Sequence, residues 1–271
     1  MKLTARRIRI PALAILASAL PLVVQAQAGV KPGEETLIVR LGAVTTNFET
    51  YARIDGATNG GTGIDLEGET GLNSDKSTFI IGGTFRPFQR HRFDGFYDSV
   101  KRNASKTTER AFVIGDDVIP AGTVLSTEQE TKIGYAGYRY SFLKSPDMEV
   151  AAGLGIYGGN FKFRFDAQSP VVNIDTSTTL PLPVLTLSGD FYLTDNMTIT
   201  LNLRGLKVKI GDVDGSVFSA GIAAEYFLTK NFGIGAAIDR LDIEADVTKN
   251  SFRGNAEVKS TAGRLFLTAR F

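Results

Sequence analysis

The chain has 271 residues, of which 43% are hydrophobic and 22% charged, and it contains one histidine but neither cysteine nor tryptophan. The missing cysteines exclude a disulfide-stapled scaffold, a zinc–thiolate protein and a thiol enzyme. The formal charge of +1, from 30 basic and 29 acidic residues, argues against a nucleic-acid partner. A mean hydropathy of zero fits either a soluble globule or a chain in which apolar and polar residues alternate.

The first 28 residues predict a secretory signal peptide. Four basic residues between positions 2 and 9 precede an apolar run at 11–24, which ends in the small residues Ala26 and Ala28. The run is shorter than the roughly 20 residues that a membrane-spanning helix needs, which disfavours an uncleaved anchor. Cleavage after Ala28 removes four basic residues and no acidic one, so the domain at 29–271 carries a net charge of −3.

Beyond the signal peptide, a period of two dominates the chain. Leu37, Val39 and Leu41 fall on one face of the first segment, whereas Arg40 and Gly42 fall on the other. Side chains of a strand point alternately to opposite faces, so each such segment is predicted to be a strand with one apolar face. Further segments of this kind lie at 78–86, 148–157, 185–193, 197–204 and 264–271.

Short and long connections separate these strands. Four short turns lie at 85–91, 142–148, 192–197 and 227–232, and longer polar stretches lie at 50–76, 103–128 and 166–180. Short turns at one end and long loops at the other are typical of an outer-membrane barrel, whose short turns face the periplasm. We therefore predict an all-β, transmembrane, antiparallel up-and-down β-barrel of about ten strands. Eight strands remain an alternative, and hairpins at 64–72 and 112–118 could raise the number to twelve.

The alternation changes phase at three places, near Gly158–Gly159, near Gly205 and near Asp239. One extra residue in a strand is how a β-bulge shifts the phase, so we interpret these places as bulges. Each lies about where its strand should leave the membrane, and the strands are expected to project beyond it as ribbons.

A soluble sandwich would also alternate, but its outward face would be polar and its inward face rich in large residues. Here the more polar face is rich in Gly, Ala, Ser and Thr with isolated charges, which suits a narrow lumen, whereas the Leu, Phe and Val face suits lipid. A closed barrel also satisfies every backbone group, as hydrocarbon requires. The pattern therefore favours the barrel.

The last strand places Leu265, Leu267, Ala269 and Phe271 on one face. A final strand ending in Phe resembles the assembly signal of small Gram-negative outer-membrane β-barrels of the OmpA- and OmpW-like group, although Ala269 stands where an aromatic residue is often favoured. The resemblance implies a location in the cell outer membrane, surrounded by lipid and lipopolysaccharide. It also implies contacts with the barrel-assembly machinery and periplasmic chaperones during biogenesis. It leaves the oligomeric state open.

Charged residues on the predicted inward face should pair, because an unpaired buried charge is costly. They are expected to form a plug that makes the barrel rigid, and a narrow pore for small solutes is the alternative. This candidate lumen network comprises seven basic and five acidic residues: Arg40, Arg86, Arg92, Arg139, Arg204, Arg264, Arg270, Asp94, Asp98, Glu149, Asp190 and Glu225.

Catalysis is not expected, and neither is a cofactor or a bound metal. General-base chemistry near neutral pH favours histidine, and the single histidine, His91, falls in a predicted periplasmic turn. Asp242, Glu244 and Asp246 share one face of a strand and could gather divalent cations. Pairing with Arg253 or Lys259 is the favoured interpretation.

Overall fold

The computed structural model describes residues 31–168, 171–249 and 252–271. The predicted signal peptide at 1–28, with Ala26 and Ala28, lies outside these residues. No helix in the described part of the chain is long and apolar enough to cross a membrane. The elements are β1 (Leu37–Asp55), β2 (Ile64–Asp65), α1 (Leu66–Thr70), β3 (Asp75–Phe88), β4 (His91–Thr107), β5 (Phe112–Ile114), β6 (Asp117–Ile119), β7 (Val124–Lys144), β8 (Met148–Gln168), β9 (Val171–Thr194), β10 (Met197–Ile210), β11 (Val213–Phe227), β12 (Phe232–Lys249) and β13 (Phe252–Arg270).

Ten long strands form one closed antiparallel ring, in which each strand pairs with its neighbours in chain order. The last strand, β13, returns to pair with β1 from Ile38↔Arg270 to Asp55↔Arg253. Closure leaves no sheet edge within the hydrocarbon, where an unpaired backbone group would be costly. The prediction of about ten strands is confirmed.

The two segments that could have raised the count to twelve do not join the ring. The short β2 pairs with β1 over two residues, and β5 and β6 form a separate small hairpin. The expectation of a long loop at 166–180 was wrong, because β8 extends to Gln168 and β9 begins at Val171. Polar residues occur there because these strand segments expose their outward face to water.

The interpretation of the phase changes as bulges was also wrong. In β8, the outward Leu154 and Ile156 are exposed and the inward Phe161, Phe163 and Phe165 are buried. Yet β8 pairs with β9 along its whole length without a register shift. The strand keeps its phase, and its two faces exchange polarity instead. The inward face is polar or small near the periplasmic turn and apolar farther along.

The same exchange occurs in the other two strands, and neither contains a register shift at that point. In β10, the outward Leu203 is followed by the outward Lys207, and in β12 the outward Ile238 is followed by the outward Arg240. A strand crosses the membrane in about 9–11 residues, whereas β8 has 21. The exchange therefore marks the height at which lipid gives way to water outside the barrel.

The ring opens at this height. The ladder between β9 and β10 ends at Leu185↔Gly205, and the ladder between β3 and β4 ends at Ile80↔Asp98. Just beyond the first ladder end, β9 contains Pro181 and Pro183, which have no N–H to donate. The wall beyond therefore consists of two facing sheets. One comes from β4 and β7–β9, and the other from β10–β13, β1 and the first residues of β3, which stay paired with β1 as far as Asp75↔Asn47. We call this part the head; it comprises the described residues of 44–75, 99–132, 159–184, 206–217 and 240–260.

The head has its own hydrophobic core between the two sheets. One sheet supplies the phenylalanines of β8 with Leu125 and Val172, and the other supplies Phe48, Ile243 and Val258. The gap between β1 and β4 is covered by α1, whose Glu67 accepts the Thr50 N–H at 2.7 Å and lies 2.5 Å from the Arg102 guanidinium. The soluble-sandwich pattern, apolar inside and polar outside, thus describes the head but not the membrane-spanning half.

This assignment predicts that a lysine introduced at an outward position destabilises the protein in the membrane-spanning half but not in the head. Leu201→Lys places a charge on the lipid-facing side of β10, where Leu201 is 43% exposed. It should destabilise the inserted barrel by about 2–4 kcal/mol, the cost of a basic residue at the bilayer midplane. The measurement is reversible unfolding from lipid vesicles.

The matched control is Asn103→Lys, on the outward face of β4 in the head. It should leave the free energy of unfolding nearly unchanged, because that position is exposed to water. A large loss of stability for Asn103→Lys, or none for Leu201→Lys, would contradict the assignment.

Candidate functional site in the barrel lumen

The periplasmic end of the lumen is organised around Glu149 of β8, whose side chain is fully buried. Arg86 donates to both of its carboxylate oxygens, at 2.8 and 3.0 Å. The Tyr192 hydroxyl donates at 2.9 Å, the Ser141 hydroxyl donates as well, and the Lys144 ammonium lies 3.8 Å away. We call this group the floor. Charge-assisted and bidentate hydrogen bonds are the strong ones, so the floor is rigid.

Two further pairs extend the floor across the lumen. Arg92 contacts Asp190 and lies 3.6 Å from the Glu149 carboxylate, which joins the two acids through one guanidinium. Arg270, at the end of β13, lies 3.4 Å from Glu35 and stacks 3.8 Å from the centroid of the Phe227 ring. The lumen is thus crossed by ion pairs just inside the periplasmic turns.

A second layer of pairs lies higher in the lumen. Arg40 donates to Glu225 at 3.0 and 2.6 Å. Arg139 donates to both oxygens of Asp94 at 2.7 and 2.5 Å, and Thr84 also donates to Asp94 at 2.9 Å. Both acids are therefore held by hydrogen bonds from a charged partner on another strand.

The top layer lies where the faces of the strands exchange polarity. Arg264 pairs with Asp239 at 2.7 Å, and Asp98 accepts a hydrogen bond from Thr78 at 2.9 Å. Arg204 forms no ion pair with a carboxylate among the described residues. Its guanidinium lies 4.4 Å from the centroid of the Tyr135 ring.

Eight of the twelve candidate lumen residues are therefore brought together as four pairs: Arg86–Glu149, Arg92–Asp190, Arg139–Asp94 and Arg40–Glu225. Arg264 and Arg270 pair with acids outside the predicted set, and Asp98 and Arg204 are held by uncharged neighbours. Sequence reasoning missed Asp239, Glu35 and Lys144. The inward position of Asp239 follows from strict alternation along β12, but the supposed phase change at that residue concealed it.

Two cavities, of about 880 and 640 Å³ counting space open to solvent, lie above the floor. They share Ile80, Phe96, Arg204, Asp239 and Arg264 in their walls and so form one column. Above them lies the hydrophobic core of the head.

His91 lies outside the lining of both cavities. It sits at the start of β4, where its Nδ1 is 2.8 Å from the Tyr138 hydroxyl and its ring contacts Phe88 and Tyr140. Among the described residues, no group of three His, Cys, Asp or Glu side chains is placed to hold a metal ion.

The outward acids of β12 are held separately. Asp242 accepts from Arg240 at 3.1 Å, and Asp246 accepts from Asn255 at 2.7 Å. Of the partners predicted from the sequence, Lys259 lies directly opposite Asp242 in the ladder between β12 and β13, but neither Arg253 nor Lys259 forms an ion pair with these acids among the described residues. Lys259 pairs with Glu257 instead.

The outer loops are joined by one carboxylate. Asp116 accepts hydrogen bonds from the backbone N–H groups of Ala57, Thr58 and Asn59 and from the Thr58 hydroxyl, at 2.9–3.3 Å. These bonds, with those from Ala57 and Thr58 foremost, lower the pKa of the Asp116 carboxyl to about 2. Because the pKa is lowered, these hydrogen bonds to the Asp116 carboxylate are complete above the ordinary carboxyl range and are lost only as the pH falls toward 2.

The last strand exposes Leu265, Leu267 and Phe271 on its outward side. Ala269 pairs with Val39 of β1 and with Phe232 of β12. The outward apolar row therefore faces lipid at the barrel closure. Its role as an assembly signal stays a prediction.

We predict that Glu149→Gln destabilises the protein by about 3–5 kcal/mol, because it leaves the floor cations without their buried counter-charge. Equilibrium unfolding in detergent or lipid measures this. The control is Asp175→Asn, which removes an exposed pair with Arg164 in the head and should cost less than about 1 kcal/mol. Equal effects of the two variants would show that the floor does not depend on the Glu149 charge.

We also predict that Asp116→Ala speeds amide hydrogen exchange at 57–59, because three backbone N–H groups lose their acceptor. The neighbouring exposed Asp117 makes none of these bonds, so Asp117→Ala should leave exchange at 57–59 unchanged. After correction for intrinsic rates, protection of the unsubstituted protein should persist to pH 4. Loss of protection already near pH 6 would contradict the low pKa.

Comparison with known proteins supports the fold. No family model matches the chain, and no curated protein matches it. Its structure is similar to that of the outer membrane protease OmpT from Escherichia coli, with a TM-score of 0.53 and 10% identity over 89% of this chain and 98% of that one. OprG from Pseudomonas aeruginosa matches at a TM-score of 0.37 and 10% identity, over 90% and 98% of the two chains. The chain has the fold of a Gram-negative outer-membrane β-barrel, as the sequence resemblance implied.

Proposed function

We propose that this chain, after cleavage at Ala28, is a non-catalytic barrel of the outer membrane that anchors the head at the cell surface. Its role is structural or one of surface interaction, and its lumen is closed. Outer-membrane lipid and lipopolysaccharide surround it, and the assembly machinery reads its final strand. The observation that carries the proposal is that the lumen is crossed by ion pairs at one end and by a hydrophobic core at the other.

The periplasmic closure is supported by the floor. Arg86, Arg92 and Lys144 approach Glu149 from different strands, so opening a passage would separate several buried charges at once. Breaking a buried pair by removing one partner costs several kcal/mol, and leaving three charges unpaired would cost more. Thermal fluctuations should therefore rarely open the periplasmic end of the lumen.

The outer closure is supported by the packing of the head. Phe48, Phe161, Phe163 and Val258, which come from both sheets, are buried in one cluster. Under α1, Arg102 is 2% exposed and binds Glu67, Gln129 and the Thr50 hydroxyl. A head that packs as a soluble domain presents outward the polar faces of its two sheets and the loops that join their strands.

The second candidate function is a narrow passive channel for small solutes. The column of two cavities through the middle of the lumen favours it. A channel would also need a path through the floor and through the head, and the two proposals differ in whether such a path forms.

Conductance across planar bilayers tests the proposal. The unsubstituted protein should show no unit steps, and the floor variant Arg86→Ser/Glu149→Ser should also stay closed because the head still seals the outer end. Heat-dependent gel mobility verifies that both proteins are folded. Reproducible steps from the folded, unsubstituted protein would overturn the closed-lumen proposal and support the channel.

A further inference from the structure

The arginines and carboxylates that line the lower cavity do not balance. Five arginines line it, at positions 40, 92, 139, 204 and 264, together with four carboxylates, at positions 94, 190, 225 and 239. Each carboxylate pairs with one arginine: Glu225 with Arg40, Asp190 with Arg92, Asp94 with Arg139, and Asp239 with Arg264. Arg204 is left without a carboxylate partner of its own among the described residues.

The surroundings of Arg204 stabilise the charge only in part. Its guanidinium stacks on Tyr135 at 4.4 Å and lies within hydrogen-bonding reach of Tyr157. A cation over an aromatic face is attracted by the ring, but more weakly than by a carboxylate. The buried Nε of Arg204 has no hydrogen-bond partner, and neither has the buried Nε of Arg264. Arg92, lower in the lumen, has a buried Nε without a partner as well, so three buried donors belong to arginines of the cavity walls.

The space above these donors is apolar. Arg204 and Arg264 lie in the walls of both cavities, and the upper cavity is also lined by Ile80, Phe96 and Leu241. Its two remaining charged lining residues are Asp98, which is held by Thr78 on β3, and Asp239, which pairs with Arg264. A molecule there would meet guanidinium groups at one end and aliphatic or aromatic side chains at the other.

From this arrangement we infer that the lumen contains a binding site for a small organic monoanion with a compact apolar body. A carboxylate placed against the Arg204 guanidinium would give it the charged partner that it lacks, since carboxylate and guanidinium match in geometry. A monocarboxylate supplies the one charged partner that Arg204 lacks, whereas a second negative charge on the ligand would find no free arginine, because Arg264 already pairs with Asp239. The apolar body fills the space toward Leu241, where a simple inorganic ion would make no contact.

The site goes beyond the proposed function. The site depends only on the ion pairs within the lumen and on the cavity above them, and it does not depend on whether the lumen conducts. If the barrel conducts and the site still binds the anion, the closed-lumen proposal fails and this inference stands. If the barrel is closed and the anion does not bind, this inference fails and the closed-lumen proposal stands.

Binding of benzoate to the purified full-length mature protein in detergent, measured by calorimetry, tests the inference. We expect saturable binding with one site per chain. Arg204→Met should weaken it by about tenfold to a hundredfold, the effect of losing a charge-assisted hydrogen-bonded pair. The variant should fold, because it removes an unpaired buried charge. Lys207→Met is the matched control, since Lys207 points outward from the same strand, and it should bind as tightly as the unsubstituted protein.

Further measurements distinguish the contribution of the ligand's charge to binding from that of its apolar body. Benzyl alcohol, the neutral analogue, should not bind saturably, and sodium chloride should not displace benzoate at equal concentration. Leu241→Phe, which narrows the apolar part without touching a charge, should also weaken binding. Unchanged benzoate binding in Arg204→Met, equal binding of the alcohol, or displacement by equimolar chloride would each overturn the inference.

Discussion

The structure depends on one constraint: within hydrocarbon, every backbone N–H and C=O must find its partner inside the protein. The ring satisfies it by pairing β13 with β1, which leaves no edge. Outside the lipid, this constraint on the backbone no longer applies. Beyond Leu185↔Gly205 and Ile80↔Asp98 the ladders stop, and the unpaired backbone there can be hydrated. A single chain therefore forms a closed barrel in the membrane and two facing sheets in water.

The lumen follows from this division. With apolar side chains turned toward lipid, the polar residues of every strand must share a narrow interior, where charge is tolerated only in pairs. Arg139 forms a bidentate pair with Asp94 on the adjacent strand, and Arg86 forms one with Glu149 across the lumen, on a strand that is not its neighbour in the ring. Arg204, at the height where the faces exchange polarity, is the residue for which the strands supply no acid.

Much of the fold could be predicted from the sequence because a period of two assigns each residue to a face without knowledge of its partners. The strand ring and the inward positions of Arg40, Glu149 and Asp190 followed from it. The ion-pair partners of these residues could not be predicted, because register and shear are set by contacts across strands rather than along them. The exchange of polarity at Gly205 resembles a bulge in the sequence because alternation alone cannot distinguish a shifted strand from a strand that enters a new solvent.

The most direct test of this account is the position of that exchange along one strand. Because the chain contains no cysteine, single cysteines at outward positions 234, 238, 240 and 244 of β12 can carry nitroxide labels in lipid vesicles. We predict that labels at 234 and 238 are accessible to oxygen in the bilayer, and that labels at 240 and 244 are accessible to a water-soluble paramagnetic reagent. A label at 244 as shielded from water as the label at 234 would contradict the account.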